Sequence, residues 1–185
     1  FDASGNETWV HAMGSTGYNS PVDVRIAPSG NIYLYGVFRG STATFGGTTL
    51  ANAVPGFTMG FLALYGPGGS LQWAQLVGTS ILVYDYESLD VDDLGHAWVS
   101  GHNNITSQFG TITLNGAGPF LAQYSEAGTA VLAEHIAMEA NVFHALGTHG
   151  DHFLYGDHIN GTVFDQGSGI SVSAALEQAK EGYLA

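Results

Sequence analysis

The chain is long enough, at 185 residues, to enclose one hydrophobic core, and an apolar share of 45% excludes a disordered tail. Three basic residues against sixteen acidic ones give a formal net charge of −13, which repels phosphate and argues against nucleic acid and anionic membrane surfaces as partners. With no cysteine, disulfides, thiolate metal sites and thiol nucleophiles are excluded, and no apolar run reaches the roughly 20 residues of a membrane span.

A short pattern occurs three times along the chain. Residues 1–9 (FDASGNETW), 65–73 (YGPGGSLQW) and 124–132 (YSEAGTAVL) each place an aromatic residue, a Gly-centred turn and then a strand with a large apolar residue. The copies begin 64 and then 59 residues apart. A period of this size with several short strands per copy is typical of repeat proteins, in which one unit cannot bury its own faces. We therefore predict a single repeat domain, with repeats at about residues 1–64, 65–123 and 124–185.

The predicted elements begin with a strand at residues 7–14, interpreted as the last strand of a four-stranded unit. A hairpin of residues 22–27 and 31–38 follows, with Gly30 in its turn and Gly36 six residues later. The same pattern predicts a hairpin twice more, at residues 88–92 with 96–103 and at residues 143–148 with 151–158. Each repeat is thereby expected to contain a hairpin of the same kind.

The second strand of the first hairpin has no polar face. Ile32 and Leu34 point to one side, whereas Tyr33 and Tyr35 point to the other. A strand that is apolar on both faces is covered on both sides, as a strand of a stacked sheet is. A Phe-centred segment then connects each hairpin to a third strand. The segments are residues 43–50, 107–114 and 162–170, and the third strands are residues 61–65, 120–124 and 183–185.

Two stretches carry a family resemblance: residues 30–36 (GNIYLYG), and residues 61–65 (FLALY) followed by Trp73 and Ala74. Over essentially its whole length the chain resembles the seven-bladed β-propeller repeat family of secreted bacterial proteins. The resemblance implies an all-β fold of β-propeller-type blades, each of four antiparallel strands, with three repeats in this chain. It also implies an extracellular or cell-surface location, but no single activity.

Three repeats are too few to close a ring, since propellers have about four to eight blades. The strands at residues 7–14 and 183–185 are expected to be the last strand of one unit and the third strand of another. The missing blades would come either from a longer chain or from other copies of this one, and the sequence leaves both alternatives open.

An acidic run precedes a turn glycine in the second repeat. Asp90, Asp92 and Asp93 supply the oxygen-rich turn that calcium favours, and they form the predicted metal site. The sequence favours a plain Asp-rich turn over this calcium site, because aspartate stabilises turns through its own backbone and the bidentate glutamate of a helix-loop-helix site is missing. No cofactor is predicted, and calcium at these aspartates is only the first candidate metal. A second candidate group, for zinc or a similar metal, comprises His149, Asp151, Asp157 and His158.

The tryptophans have two interpretations. Trp9 and Trp73 occupy the same position of the repeat, which favours packing between units over stacking on a sugar. A glycan site would instead use loop aromatics that are not repeated, such as Tyr18, Tyr84 and Tyr86. No GxSxG nucleophile elbow and no phosphate-binding glycine loop occurs, and no catalytic residue is predicted.

These patterns favour a non-catalytic structural or interaction module of a secreted, cell-surface or filament-forming bacterial protein. Its loops would contact a glycan or a surface protein, and its other partners would be further blades of the same protein or other copies of itself. The alternative is a glycan-binding lectin, or a glycan-active enzyme that uses the propeller channel. Fold analogy alone supports the enzyme.

Overall fold

Antiparallel strands form all of the regular structure in the described part of the chain, so the predicted all-β class is confirmed. The computed structural model describes residues 3–54, 56–78 and 87–135, and the backbone of residues 145–149, 152–159, 163–165, 171–173 and 181–184. Among these residues there is no helix of the length and apolar character needed to span a membrane.

The described residues form 18 strands. In chain order they are β1 (Met13–Ser15), β2 (Asn19–Ile26), β3 (Ile32–Phe38), β4 (Thr42–Phe45), β5 (Thr48–Ala51), β6 (Met59–Tyr65), β7 (Leu71–Val77), β8 (Ser88–Val91), β9 (Ala97–Asn103), β10 (Ser107–Phe109), β11 (Ile112–Leu114), β12 (Gly118–Tyr124), β13 (Ala130–His135), β14 (Ala145–His149), β15 (His152–Ile159), β16 (Val163–Asp165), β17 (Ser171–Ser173) and β18 (Glu181–Leu184).

The same sheet is built twice. Strands β2, β3, β6 and β7 are neighbours in that order and form the first sheet, with the hairpin β4–β5 inserted between its second and third strands. Strands β8, β9, β12 and β13 form the second sheet in the same order, with the hairpin β10–β11 at the equivalent place. The Phe-centred segments, predicted only as connections, are therefore hairpins.

A third sheet contains β14, β15 and β18, again with an inserted hairpin, β16–β17. Its last strand, Glu181–Leu184, corresponds to the third strand predicted at residues 183–185. Strand β8 lies beside both β2 and β14, so the first strands of the three sheets are adjacent. The described residues do not close a ring of sheets, and the blade arrangement stays a prediction.

The turn glycines explain why the hairpins repeat. Gly30 and Gly95 both have a φ of 84°, which favours glycine because other residues are strained there. The Gly30 N–H donates to the Ala27 carbonyl at 2.8 Å, and the Gly95 N–H donates to the Asp92 carbonyl at 2.9 Å. The two turns therefore have one geometry.

Gly36 and Gly101, six residues after the turn glycines, are required for a different reason. Gly36 pairs with Phe61, and Gly101 pairs with Phe120, at the same register of the two sheets. A Cβ atom added to Gly36 would lie 2.7 Å from the Phe61 ring, and one added to Gly101 would lie 2.9 Å from the Phe120 ring. The phenylalanine ring thus occupies the space that a side chain would need.

Each four-stranded sheet has two distinct faces. On the first sheet, the tyrosine face consists of Tyr33, Tyr35, Val37, Leu62 and Leu64, and all five are fully buried. The opposite face, named here the phenylalanine face, consists of Ile32, Leu34, Phe61, Ala63 and Tyr65. On the second sheet the phenylalanine face consists of Ala97, Val99, Phe120, Ala122 and Tyr124.

The two sheets pack through unlike faces. One buried cluster joins the tyrosine face of the first sheet to the phenylalanine face of the second. The phenylalanine face of the first sheet belongs to a separate cluster, which is covered in part by the hairpin β4–β5 through Phe45. Each Å² of apolar surface that this packing removes from water stabilises the fold by about 25 cal/mol. The sheets are therefore stacked head to tail.

The strand predicted at residues 7–14 is wrong in its extent. Only Met13–Ser15 forms a strand, and it pairs with β4. Residues 7–12 form no ladder with another strand among the described residues. A strand requires backbone hydrogen bonds to a neighbouring strand, which the local sequence pattern does not specify.

Candidate functional site

The contact that links the first sheet to the second is built around Trp73. This side chain, on β7, lies over the turn between β12 and β13, and its Nε1 donates to the Glu126 carbonyl at 2.9 Å. A Cβ atom added to Gly128, in the same turn, would be 3.2 Å from the indole. Two residues further along β7, the Gln75 amide donates to the Gly128 carbonyl at 3.0 Å. We name this contact the second joint.

An equivalent contact, the first joint, precedes the first sheet. Trp9 lies over the turn between β6 and β7, and its Nε1 donates to the Pro67 carbonyl at 3.3 Å. A Cβ atom added to Gly69 would be 2.6 Å from the indole. The His11 Nε2 lies 2.6 Å from the Gly69 carbonyl oxygen, which is the place that Gln75 takes in the second joint.

The two joints share their spacing. Trp9, His11 and Met13 contact the first sheet at every second residue, and Met13 places its sulfur 3.9 Å from the Tyr65 hydroxyl. Trp73, Gln75 and Val77 contact the second sheet with the same period of two. The interpretation of Trp9 and Trp73 as packing residues between units therefore agrees with their contacts.

A polar clamp lies beside the second joint. The Glu126 carboxylate accepts a hydrogen bond from the Asn31 amide at 2.7 Å and another from the Ser29 hydroxyl. The Gln72 amide in turn donates to the Asn31 Oδ1 at 2.8 Å. This network ties the β2–β3 turn of the first sheet to the β12–β13 turn of the second. Sequence reasoning missed it, because Asn31 and Glu126 lie 95 residues apart and the repeated patterns that contain them do not show that they meet.

Two buried phenols extend the contact. The Tyr33 hydroxyl donates to the Gly95 carbonyl at 2.9 Å, and the Tyr35 hydroxyl donates to the Ser100 carbonyl at 3.2 Å. Burial raises the pKa of both phenols, and the carboxylates of Glu126 and Asp92 raise the pKa of Tyr33 further. Both groups therefore stay protonated and act as donors at neutral pH.

Asp92, from the predicted calcium site, is 5% exposed and surrounded by donors. Its Oδ1 accepts from the backbone N–H of Leu94 at 3.0 Å and from that of His96 at 2.8 Å. Its Oδ2 is 3.0 Å from the His96 Nδ1 and accepts from the Trp98 Nε1 at 3.1 Å. Burial alone would raise the pKa of Asp92, but these hydrogen bonds outweigh it and hold the pKa below its usual range.

The other two aspartates of that site lie apart from these contacts. The Asp90 Oδ1 is 3.4 Å from the Arg25 Nε across the first strands of two sheets, and Asp93 is exposed. Within the described ranges no three His, Asp or Glu side chains are arranged to hold a metal ion. The hydrogen bonds of Asp92 match the turn interpretation, and calcium at Asp90, Asp92 and Asp93 stays a prediction.

Several predicted residues cannot be placed in a site. Tyr84, Tyr86 and Asp151 lie outside the described residues, and the side chains of His149, Asp157 and His158 do too. Tyr18 is described, and half of its side chain is exposed. The joints and the clamp are thus the most developed arrangement of side chains among the described residues.

No protein-family model matches the chain, and no curated protein was found to be similar to it.

Proposed function

We propose that the chain is a non-catalytic structural or interaction module, in which each four-stranded sheet is a propeller-type blade that stacks between like sheets. The observation that carries the proposal is the repetition of the joint. Trp73 packs on the Gly128 turn, and Trp9 packs on the Gly69 turn with the same spacing. A contact of one kind at both faces of one sheet is what a repeat array requires.

The chemistry of the joints supports binding rather than turnover. The joint residues donate to backbone carbonyls, and the Glu126 carboxylate accepts from two side chains of the neighbouring turn. A general acid or base needs a group within reach of a substrate proton, and these groups already bond to protein. The partners of the module are further blades of the same protein or other copies of the chain.

The location is proposed to be extracellular or at the cell surface. A net charge of −13 favours solubility of such a module, and without cysteine its fold does not depend on thiol–disulfide exchange. Exposed residues such as Tyr18 and Leu94 would be available for contacts with a surface protein.

Two measurements test the proposal. We expect analytical ultracentrifugation of this chain to give masses that are multiples of 19.3 kDa and that rise with concentration. We expect a glycan array to show no binding that depends on Tyr18. A single-chain mass at every concentration, together with binding or cleavage of a sugar, would favour the lectin or glycan-active enzyme instead.

A further inference from the structure

The loop between β11 and β12 contains an asparagine followed directly by a glycine. Asn115 and Gly116 are both exposed, and among the asparagines that the structure describes only Asn115 precedes a glycine. The side-chain amide carbon of an asparagine can approach the next backbone nitrogen, and glycine leaves that nitrogen accessible because it has no Cβ atom. The pair therefore brings an electrophilic carbon beside an unhindered nitrogen of the same chain.

The space around this peptide group is open. A Cβ atom added to Gly116 would meet nothing within 4 Å, and the φ of this residue is 92°, which glycine adopts without strain. The Asn115 side chain makes no hydrogen bond within the part of the chain that the structure describes. Its amide can therefore rotate towards the Gly116 nitrogen without losing a hydrogen bond.

Asn52, in the equivalent loop between β5 and β6, is restrained instead. Its amide donates to the Gly40 carbonyl at 3.1 Å and to the Phe57 carbonyl at 2.9 Å. The side chain is buried, and its Oδ1 accepts from the backbone N–H of Val54. The following residue, Ala53, has a Cβ atom beside the nitrogen that would have to attack. Asn52 is therefore an internal reference in which side chain and backbone are both held.

Two hydrogen bonds prepare the peptide group between Asn115 and Gly116. The His135 Nε2 lies 3.3 Å from the Asn115 carbonyl oxygen, and with a proton on Nε2 it stabilises the negative charge that this oxygen gains when the nitrogen is deprotonated. The Gly116 N–H donates to the Thr106 Oγ1 at 3.1 Å. This N–H lies in the plane of the peptide group, whereas the nitrogen attacks with electrons perpendicular to that plane. The hydrogen bond to Thr106 therefore leaves the direction of attack open.

We propose that Asn115 is a site of spontaneous modification, at which its side-chain amide becomes a carboxylate through a cyclic imide with Gly116. The Gly116 nitrogen bonds to the Asn115 Cγ, the bond from Cγ to Nδ2 breaks, and the side-chain nitrogen leaves as ammonia. The proton of the Gly116 nitrogen passes to solvent, and solvent supplies one to the leaving group. Water then opens the ring at either carbonyl carbon and gives aspartate or isoaspartate. Water is the only co-reactant, and the ring closure is fast for its kind because both groups belong to one chain.

The isoaspartate product gains a distinct contact. Its main chain runs through the former side-chain carbon, so the original Asn115 carbonyl becomes a free carboxylate. That group starts 3.3 Å from the His135 Nε2, and a charged histidine binds a carboxylate more strongly than a carbonyl. The modification therefore adds a negative charge to the loop and lengthens its backbone by one carbon atom.

Peptide mass spectrometry of the aged chain, with chromatographic separation of the aspartate and isoaspartate products, tests the proposal. At neutral pH we expect Asn115 to convert at least tenfold faster than Asn52, because only Asn115 can bring its reacting atoms together. Asn115→Gln is the matched variant, since it keeps the amide but would have to close a larger ring, and it should stay unconverted. Equal rates at Asn115 and Asn52, or no conversion of Asn115, would overturn the proposal.

A free peptide of residues 110–120 separates the effect of the fold from that of the Asn-Gly pair. Because the Asn115 side chain is free in the folded chain, we expect its conversion there to be no slower than one tenth of the rate in the peptide. A folded chain that converts more slowly than this would show that the fold protects the pair, and the site would be lost.

Substitutions of His135 test the neighbouring donor. Leucine stands at the equivalent position of the first sheet, Leu76, and cannot donate, so His135→Leu should slow the conversion of Asn115 severalfold. His135→Gln keeps an N–H donor and should slow it less, and circular dichroism checks that both variants fold. Equal rates in both variants and the unaltered chain would overturn the role assigned to His135.

Discussion

At the scale of single residues, the turn between β8 and β9 is organised by the Asp92 carboxylate. Four donors converge on its two oxygens, two of them from the backbone of the turn itself. The side chain is buried, so water cannot replace these partners. The residue therefore fixes both the turn and the orientation of the Trp98 ring beside it.

Replacing this carboxylate should destabilise the protein strongly. We expect Asp92→Ala to lower the free energy of unfolding by at least about 2 kcal/mol, because each buried donor left without a partner costs about 1–3 kcal/mol. Asp92→Asn keeps one acceptor oxygen for the backbone and should lose less. Urea unfolding at pH 7 measures both, and equal stability of Asp92→Ala and the unaltered chain would contradict this role.

The pH dependence follows from the lowered pKa of Asp92. Because the folded pKa lies below the unfolded one, the contribution to stability is complete above about pH 4 and is lost as the pH falls through the folded pKa. The stability difference between the unaltered chain and Asp92→Asn should therefore shrink between pH 4 and pH 2. A difference that stays constant over this range would refute the assignment.

Calcium provides an independent test of the same residue. Because the Asp92 oxygens already accept hydrogen bonds, we expect the midpoint of thermal unfolding to be the same in calcium and in chelator. A rise of several degrees in calcium, abolished in Asp92→Asn, would establish Asp90, Asp92 and Asp93 as ligands.

Alanine substitutions at two turn glycines distinguish the cost of backbone strain from the cost of steric crowding. Gly30 and Gly69 both have a φ of 84°, and a Cβ atom at Gly30 meets only Pro67 at 3.5 Å. We expect Gly30→Ala to cost about 1–2 kcal/mol, the cost of a left-handed backbone. Gly69→Ala should cost more and should also change the Trp9 fluorescence, since its Cβ would lie 2.6 Å from the indole. Chemical unfolding followed by fluorescence compares the two, and equal costs would show that Trp9 does not pack on this turn.

At the scale of elements, the joint couples one sheet to the next through a single side chain and its neighbours. The Trp73 indole combines apolar contact with Tyr33, at a ring separation of 6.0 Å, with a hydrogen bond to the Glu126 carbonyl. The clamp of Ser29, Asn31 and Glu126 ties the adjacent turns. The contact therefore joins β3, β7 and the β2–β3 turn of the first sheet to the β12–β13 turn of the second.

Substitution of Trp73 measures how much its hydrogen bond to the Glu126 carbonyl contributes to stability. We expect Trp73→Phe to lower the free energy of unfolding by about 1 kcal/mol for the lost bond, with a further loss for the smaller ring. Trp9→Phe is the matched control, because Trp9 has the same repeat position but a longer and more exposed bond of 3.3 Å. Urea unfolding should rank Trp73→Phe as the more damaging change, and the reverse order would contradict the role of the second joint.

The elements also show where sequence reasoning succeeds and where it ends. The turn at Gly30 is local, so its spacing in the sequence carried the information, whereas the space at Gly36 is taken by the ring of Phe61, 25 residues away, and the sequence showed only the repeated glycine. The strand expected at residues 7–14 depended on a ladder partner, which no local pattern specifies. The clamp could not be predicted, because nothing local to Asn31 points to a glutamate 95 residues away.

At the scale of the whole molecule, the net charge opposes the proposed association of copies. Copies that each carry a formal charge of −13 repel one another over a Debye length of about 10 Å at 0.1 M salt. Arg25, which lies between Asp23 and Asp90, is one of only three basic residues in the chain. The proposed assembly of copies would therefore depend on apolar contact rather than on attraction between charges.

Salt and pH should shift this balance in a predictable direction. We expect the assembled fraction to rise as sodium chloride increases from 10 to 150 mM, because screening weakens the repulsion. It should also rise as the pH falls from 8 towards 6, because acidification reduces the net negative charge of each copy. Light scattering at fixed protein concentration follows both changes, and dissociation by salt would show that attractive charge pairs hold the assembly.

The unlike faces of each sheet have one more consequence. A stack that always sets a tyrosine face on a phenylalanine face cannot contain a two-fold axis relating neighbours. Such an array has polarity, with a leading end and a trailing end that differ in chemistry. Growth could then proceed at different rates from the two ends, and a single ligand specific for one end would block elongation there while leaving the other free.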